Sequence, residues 1–308
     1  MNIYLAESGG IWNAYFKGGV DATRIHLVPN TQMLPKVGTE KDIKIYLADT
    51  GVRFGTAMNE QKRKSPETAA EAIFRDTNIL QSFYYGDSFT ERVILPNCKH
   101  FLLDSGAFTF ITGQKGKPVD WDEYVGRYID FIRRNKVDRY FELDIDSVVG
   151  YDRVKQIRNR LERETGRQCI PVWHKSRGQA EFLKICDEYK YVAIGGIVSK
   201  EIKPNEYPVF THLIKEAHKM GAKIHGLGFT SLSSLQKYHF DSVDSTAWTS
   251  GNRFGTTYKF TGNGLVMCKK RDGLRIADHQ ALSLHNFTEW KSSATGLKPI
   301  CKGVQSNG

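Results

Sequence analysis

Residues 101–110 read FLLDSGAFTF. Three apolar side chains, Phe101, Leu102 and Leu103, run into Asp104, and the small residues Ser105, Gly106 and Ala107 follow at once. A short apolar run closed by a small-residue turn is the pattern of a strand buried on both faces, and such strands belong to parallel sheets. Asp104 then stands at the strand's carboxyl end, the edge at which barrels and open α/β sheets carry their chemistry. The plainer role for the same carboxylate is to cap the turn that follows it.

The same motif of apolar run, acid and small residues occurs upstream. Residues 2–6 (NIYLA) and 44–48 (KIYLA) are strand-like and lead into Glu7-Ser8-Gly9 and Asp49-Thr50-Gly51. The segment between them, through Pro29 and Pro35, reads as loop. Ser65-Pro66 supplies an N-cap and first-turn proline for a helix through about Arg75. Residues 79–85 (ILQSFYY) form the next strand. Downstream, Asp120 with Glu123 resembles a capping box, and Tyr124, Tyr128, Phe131 and Ile132 make a helical stripe.

The alternation then continues: strand 140–146 (YFELDID), helix 152–165, strand 169–173 (CIPVW) ending at His174, helix 178–189, strand 191–196 (YVAIGG). A helix over 207–220 closes at Gly221, followed by strand 223–228 (KIHGLG), a short helix 231–239 and strand 240–245 (FDSVDS). Strands alternating with helices imply parallel pairing through right-handed crossovers. So many units in one run predict an α/β fold of the (β/α)8 TIM-barrel type over residues 1–250. A basic C-terminal extension over 251–308 is expected to pack on the barrel. Nine candidate strands are one more than a barrel needs, so one early run is an extra strand or a lid.

Hydrophobic residues make up 40% and charged residues 25% of the 308, ordinary for a globular enzyme. No apolar run is long enough for a bilayer, and MNIYLAESGG has no basic and then apolar leader pattern, so a cytoplasmic protein is expected. Five cysteines, Cys98, Cys169, Cys186, Cys268 and Cys301, are odd in number and never at CxxC spacing. Free thiols are expected, with no self-contained zinc site and no metal or other cofactor. The net charge of +10 favours a polyanionic partner, most often nucleic acid. The basic residues singled out for that contact are Arg53, Lys62, Arg63, Lys64, Lys115, Arg253, Lys269, Lys270 and Arg271.

At the carboxyl ends of the expected strands fall Asp104, Asp144 or Asp146, His174, Gly195-Gly196, Gly226 and Asp244. Period-two alternation puts Glu142, Asp144 and Asp146 on one face, with Phe141, Leu143 and Ile145 packing against helices. It also puts Asp244 with Phe240 and Ser242, and Asp241 on the Val243 face near the barrel floor or a helix. Several carboxylates converging on one pocket suit glycosyl transfer, one attacking the anomeric carbon and another carrying the proton. Magnesium binding or loop capping would use the same acids.

These motifs carry a family resemblance. Asp104-Ser105-Gly106-Ala107-Phe108 resembles the DSGGF motif of tRNA-guanine transglycosylases, with Ala107 in place of a glycine. Leu143-Asp144 resembles their base-reading aspartate, Ala193–Ile197 (AIGGI) their AIGGL strand, and Gly226-Leu227-Gly228 their GVG turn. Asp241-Ser242-Val243-Asp244-Ser245 is similar to their pair of aspartates three apart. The resemblance implies a barrel enzyme exchanging guanine for a 7-deazaguanine within a polynucleotide. By residue, it implies Asp244 as nucleophile and Asp104 as general acid/base. Ser105, Asp144 and His174 would bind the base, Phe108 would stack on it, and Gly195, Gly196 and Gly226 would line the pocket. Asp144 and Asp146 both stay open as base reader.

The family's zinc motif is missing after the nucleophile strand, where only Cys268 and Cys301 occur. The continuation STAWTSGNRFG also departs from the family's. The compact chain looks more like the phage and bacterial 7-deazaguanine DNA transglycosylases, which implies DNA and a base such as 7-cyano-7-deazaguanine as partners. A tRNA substrate and a non-catalytic nucleic-acid-binding barrel are the alternatives.

Overall fold

The computed structural model describes residues 28–33, 44–49, 57–59, 62, 69–86, 88–113, 119–229, 237–262, 264–269 and 279–295. The strands are β1 (Val28–Met33), β2 (Lys44–Asp49), β3 (Asn78–Ser82), β4 (His100–Asp104), β5 (Val172–Trp173), β6 (Tyr191–Ile194), β7 (Lys223–Gly226), β8 (Ser242–Ser245), β9 (Thr256–Phe260) and β10 (Leu265–Lys269). The helices used below are α1 (Ala69–Phe74), α2 (Ala107–Gly113), α3 (Trp121–Arg134), α4 (Tyr151–Thr165), α5 (Gly178–Glu188), α6 (Val209–Lys219) and α7 (His279–Thr295).

Seven strands pair in parallel in the order β4-β3-β2-β8-β7-β6-β5, with helices between successive strands from β2 to β7, a mixed α/β arrangement of TIM-like type. The two edge strands, β4 and β5, are linked through residues 139–142. Leu103 bridges Tyr140 and Phe141 bridges Ile170, both in parallel. The Leu103 N–H donates to the Arg139 carbonyl at 3.1 Å, and the Ile170 N–H to the Tyr140 carbonyl at 2.8 Å.

Alternation along the strands separates an inner face from an outer one. Ala48, Leu80, Leu102, Phe141, Ile170, Val172 and Ala193, drawn from successive strands and the linking segment, pack with one another on the inner face. Strand residues of the opposite parity, Leu47, Ile79, Trp173, Val192, Ile194, Ile224 and Val243, pack outward with helix residues such as Phe182 and Phe210. Each such fully buried side chain contributes about 1.5–3 kcal/mol relative to exposure.

α3 begins as its sequence requires: the Glu123 N–H donates to Asp120 Oδ1 at 2.9 Å, and Tyr124, Tyr128, Phe131 and Ile132 are all buried. Segment 140–146 is not the strand that alternation predicts. Among the described residues it pairs only at Tyr140 and Phe141, and Asp146 opens a helical turn, Asp146–Val149. The face assignment holds for Leu143 and Ile145, which pack with helix residues such as Tyr128 and Val154, and fails for Phe141 and Glu142. Phe141 turns inward, its ring centroid 5.3 Å from the His225 ring, whereas Glu142 lies against Arg158 of α4.

Residues 28–33, expected as loop, form β1, the edge of a second, antiparallel sheet of order β1-β10-β9. Pro29 is tolerated there because an edge strand bonds on one side only. Beyond Trp248 the chain builds the β9–β10 hairpin and then α7. The rings of Phe287 and Trp248 lie 5.2 Å apart, and those of Phe287 and Phe74 6.1 Å. Asn286 Oδ1 accepts from the Tyr258 N–H at 3.0 Å, and its Nδ2 donates to the carbonyls of Trp248 (3.1 Å) and Thr256 (3.0 Å). Phe287 and Trp290 thus share one buried cluster with Leu47 and Val243. Residues 2–6 lie outside the described residues, as does most of the expected helix 231–239. Among the described residues no helix is long and apolar enough to cross a membrane.

Candidate active site

The inner-face ladder carries the polar residues of interest one step further toward the strands' carboxyl ends. Asp104 follows Leu102 on β4, His174 follows Val172 on β5, Gly195 follows Ala193 on β6, and Asp244 follows Ser242 on β8. Because these strands are parallel, the residues gather at one mouth.

Asp104 accepts the Gly106 N–H on Oδ2 at 3.2 Å. Removal from water, and then the negative charges of Asp144 and Asp244, push its carboxyl up to about 7. Gly106 has φ +78°, and a Cβ there would lie 2.7 Å from the Tyr84 Cβ, so the turn that carries the hydrogen bond requires glycine.

His174 sits between two acids. Its Nε2 lies 3.3 Å from Asp144 Oδ2, and its Nδ1 3.2 Å from Glu201 Oε2. Burial alone would lower its pKa, but the hydrogen bond and charge of Asp144 outweigh burial and push the imidazole up to about 8. The ring packs on the Gly195 backbone, where a Cβ would stand 2.7 Å from His174 Cε1. At Gly196, with φ +78°, a Cβ would meet Glu201 Oε2 at 2.8 Å. These two glycines let the His174–Glu201 pair approach the end of β6.

Asp244 is 6% exposed. Its Oδ1 accepts the Gly228 N–H at 2.6 Å and lies 3.3 Å from His225 Nε2. Gly226 is buried at the end of β7, where a Cβ would meet the Phe240 ring at 3.0 Å. Asp241 lies away from this cluster: its Oδ2 accepts the Ile224 N–H and pairs with His218 Nε2, each at 2.7 Å, at the end of α6.

Asp144 and Asp146 part company. Arg177 binds Asp146 Oδ2 through Nε at 3.0 Å and Glu142 Oε1 through Nη1 at 2.9 Å, with its guanidinium 4.2 Å from the Tyr151 ring centroid. Against the upward push of partial burial, Arg177 holds Asp146 below the usual carboxylate range. Asp146 therefore belongs to an ion-pair group with Glu142 and Arg177, while Asp144 faces His174 and Asp104.

Ser105 is fully buried, and its Oγ accepts the Ala107 N–H at 3.4 Å. Phe108, in the first turn of α2, is 46% exposed. Among the nucleic-acid candidates, Lys62 is exposed, Arg253 falls in the short helix Ser250–Phe254, and Lys269 ends β10. Arg53, Arg63, Lys64, Lys115, Lys270 and Arg271 lie outside the described residues. A cavity of about 550 Å³ opens beside His100, Phe101 and Arg139, at the start of β4 and away from the mouth.

Sequence reasoning passed over Glu201, His225 and Tyr191. His225 had a signal: an ionisable residue in mid-strand, between Ile224 and Gly226, at an inner-face position. Glu201 had none, since it reaches His174 from the loop after β6.

No protein-family model matches this chain, and no curated protein matches it. Among solved structures it is similar to the carboxyl transferase domain of Rhizobium etli pyruvate carboxylase with 3-bromopyruvate, at TM-score 0.43 and 12% identity over 84% of this chain and 48% of that one. Cryptosporidium parvum pyruvate kinase gives TM-score 0.43 and 10% identity, over 83% of this chain and 71% of that one. An enolase protein from Sargasso Sea environmental sequencing gives 0.37 and 9%, over 79% and 66%. This chain thus spans about half the length of the carboxylase domain chain it matches. At this level of likeness none of their chemistry carries over.

Proposed function

We propose that this chain is a DNA-guanine transglycosylase that exchanges guanine in DNA for a 7-deazaguanine, on an eight-stranded barrel made by the seven strands and the 139–142 segment. One observation carries the reading: Asp104 and Asp244, distant in sequence, share the inner face and one mouth, where the charge of Asp244 helps raise Asp104. Retaining glycosyl transfer needs this pairing of an ionised nucleophile with an acid that is protonated near neutral pH.

In the first half-reaction an Asp244 oxygen bonds to C1′ as the bond from C1′ to guanine breaks, and Asp104 gives its proton to the departing base. In the second, Asp104 takes the proton from N9 of the incoming 7-deazaguanine. That nitrogen then attacks C1′, and the ester bond to Asp244 breaks. Base replaces base, with no water consumed and no net proton exchanged. Asp144, oriented by His174, reads the base edge, the exposed Phe108 stacks on it, and the backbone at Gly195, Gly196 and Gly226 lines the pocket. The base must leave the duplex stack to enter. Lys62 and the other basic residues hold the phosphates in a salt-sensitive, sequence-blind manner.

The test is incubation with guanine-containing DNA, or tRNA, and candidate 7-deazaguanines such as the 7-cyano form, followed by nucleoside analysis. The reading expects incorporation into DNA and none with Asp244→Ala. Incorporation into tRNA alone would reassign the substrate. Salt-dependent DNA binding without exchange of any deazapurine would make the chain a binding subunit.

A further inference from the structure

Beneath Asp244 the alternation of three neighbouring strands lines up polar side chains on the inner face: Tyr191 on β6, His225 on β7, Ser242 on β8. His225 Nε2 lies 3.3 Å from Asp244 Oδ1, and its Nδ1 lies 2.7 Å from Ser242 Oγ. The Tyr191 hydroxyl bonds the same Ser242 oxygen. His225 and Ser242 are 0% and 1% exposed.

The donor directions follow from the chemistry of the groups. A carboxylate only accepts, so His225 Nε2 donates to Asp244. In the neutral ring Nδ1 then accepts, and the Ser242 O–H supplies it. With its one hydrogen spent, Ser242 Oγ accepts from the Tyr191 O–H. Every donor points toward Asp244. Files of aligned hydrogen bonds polarise one another, so the last donor is the strongest.

We infer that Tyr191, Ser242 and His225 form a positioning file that holds Asp244 Oδ1 and stabilises the free carboxylate against its sugar ester. The inference rests on the base-exchange reading of Asp244. When the ester forms, the carboxylate's charge is lost and the His225 donor has less to bind. When the ester bond breaks, the charge returns and the file meets it. The Gly228 N–H acts on the same oxygen from the β7 turn, so removing His225 weakens the hold without abolishing it.

The experiment compares wild type with His225→Leu, His225→Gln and Ser242→Ala. It measures the denaturant-stable protein–DNA adduct at equilibrium with free guanine, together with kcat and KM for DNA. A hydrogen bond to a charged group predicts an adduct-to-free ratio about tenfold higher for His225→Leu, with lower kcat and unchanged KM. His225→Gln, which restores an amide donor, returns the ratio toward wild type. Ser242→Ala shifts it the same way by about threefold, since only the donor's polarisation is lost.

An exchanging wild type whose ratio is unchanged in His225→Leu and Ser242→Ala would overturn the file and leave base exchange standing. A wild type that exchanges nothing would overturn base exchange. The file is then judged by imidazole ¹⁵N spectra of the wild-type protein, which need no turnover. A bare Nδ1 with a protonated Nε2 at His225 supports it, and a protonated Nδ1 refutes it.

Discussion

His174 reaches Asp144 through Nε2 at 3.3 Å and Glu201 through Nδ1 at 3.2 Å. A ring with a carboxylate at each nitrogen satisfies both only as the imidazolium. Asp146 and Arg177, also near the ring, act on it in opposite senses. Its folded pKa of about 8 exceeds the ordinary 6.5. The pair's contribution to stability is therefore fully present below about pH 6.5 and is lost as pH rises through 8. Its size is at most about 2 kcal/mol. Urea unfolding at pH 6 and pH 9 should show wild type losing about 1–2 kcal/mol more than His174→Gln. Equal losses in the two proteins would show that the ring is not held as a cation.

Asp104 has the opposite consequence. Its carboxyl titrates near 7 in the folded chain against 3.8 ordinarily. Between those values the unfolded chain releases a proton that the folded chain keeps, so Asp104 costs stability as pH rises from about 4 to 7. Asp104→Asn should be more stable than wild type at pH 8, by up to a few kcal/mol, and equal to it near pH 4. Under the proposed mechanism the same variant exchanges no base, and wild-type kcat/KM for DNA falls about tenfold per pH unit above 7. A stabilised Asp104→Asn with full exchange activity would separate the raised pKa from the chemistry.

Much of this was legible in the sequence because it depends on period two. Leu102 and Asp104, Val172 and His174, Ser242 and Asp244 are pairs that alternation alone puts on one face, and the structure keeps them there. The same rule failed at Phe141 and Glu142, where pairing stops before the chain turns helical at Asp146, although Leu143 and Ile145 still pack against helices. Glu201 was illegible for another reason: it reaches His174 from a loop, and no periodicity links positions 174 and 201. The role of α7 was hidden because its contacts with Trp248, Phe74 and β2 are long-range.

Gly195 supplies a test of how closely the site depends on backbone approach. A Cβ there would lie 2.7 Å from His174 Cε1 and 2.9 Å from Val172 Cγ1. Gly195→Ala should displace the imidazole from Asp144 at a cost of about 1–3 kcal/mol. It should raise the KM for the incoming base about tenfold, the worth of one misplaced hydrogen bond to a charged group. Gly221→Ala is the control: its φ is +76° but nothing lies within 4 Å of the added carbon, so strain of about 1–2 kcal/mol is expected with base affinity intact. If both variants lose base affinity alike, the effect belongs to general destabilisation and not to His174.

Phe287 tests whether residues beyond 250 complete the fold. Its ring meets Trp248 and Phe74, and in the next turn of α7 Lys291 Nζ donates to the carbonyls of Ala72 (3.0 Å) and Ile73 (3.1 Å) at the end of α1. Trp248 in turn donates its indole N–H to the Ala48 carbonyl on β2 at 2.9 Å. Removing the ring leaves a cavity between β2, α1 and α7, so Phe287→Ala should cost about 3–5 kcal/mol, much of a domain's stability. A chain ending at residue 250 would bare Trp248, Phe74 and the outward face of β2 together, and should fail to unfold cooperatively. Calorimetry on the two proteins decides it: a truncated chain with a sharp transition near that of the full chain would make the C-terminal segment an appendage to a self-sufficient barrel.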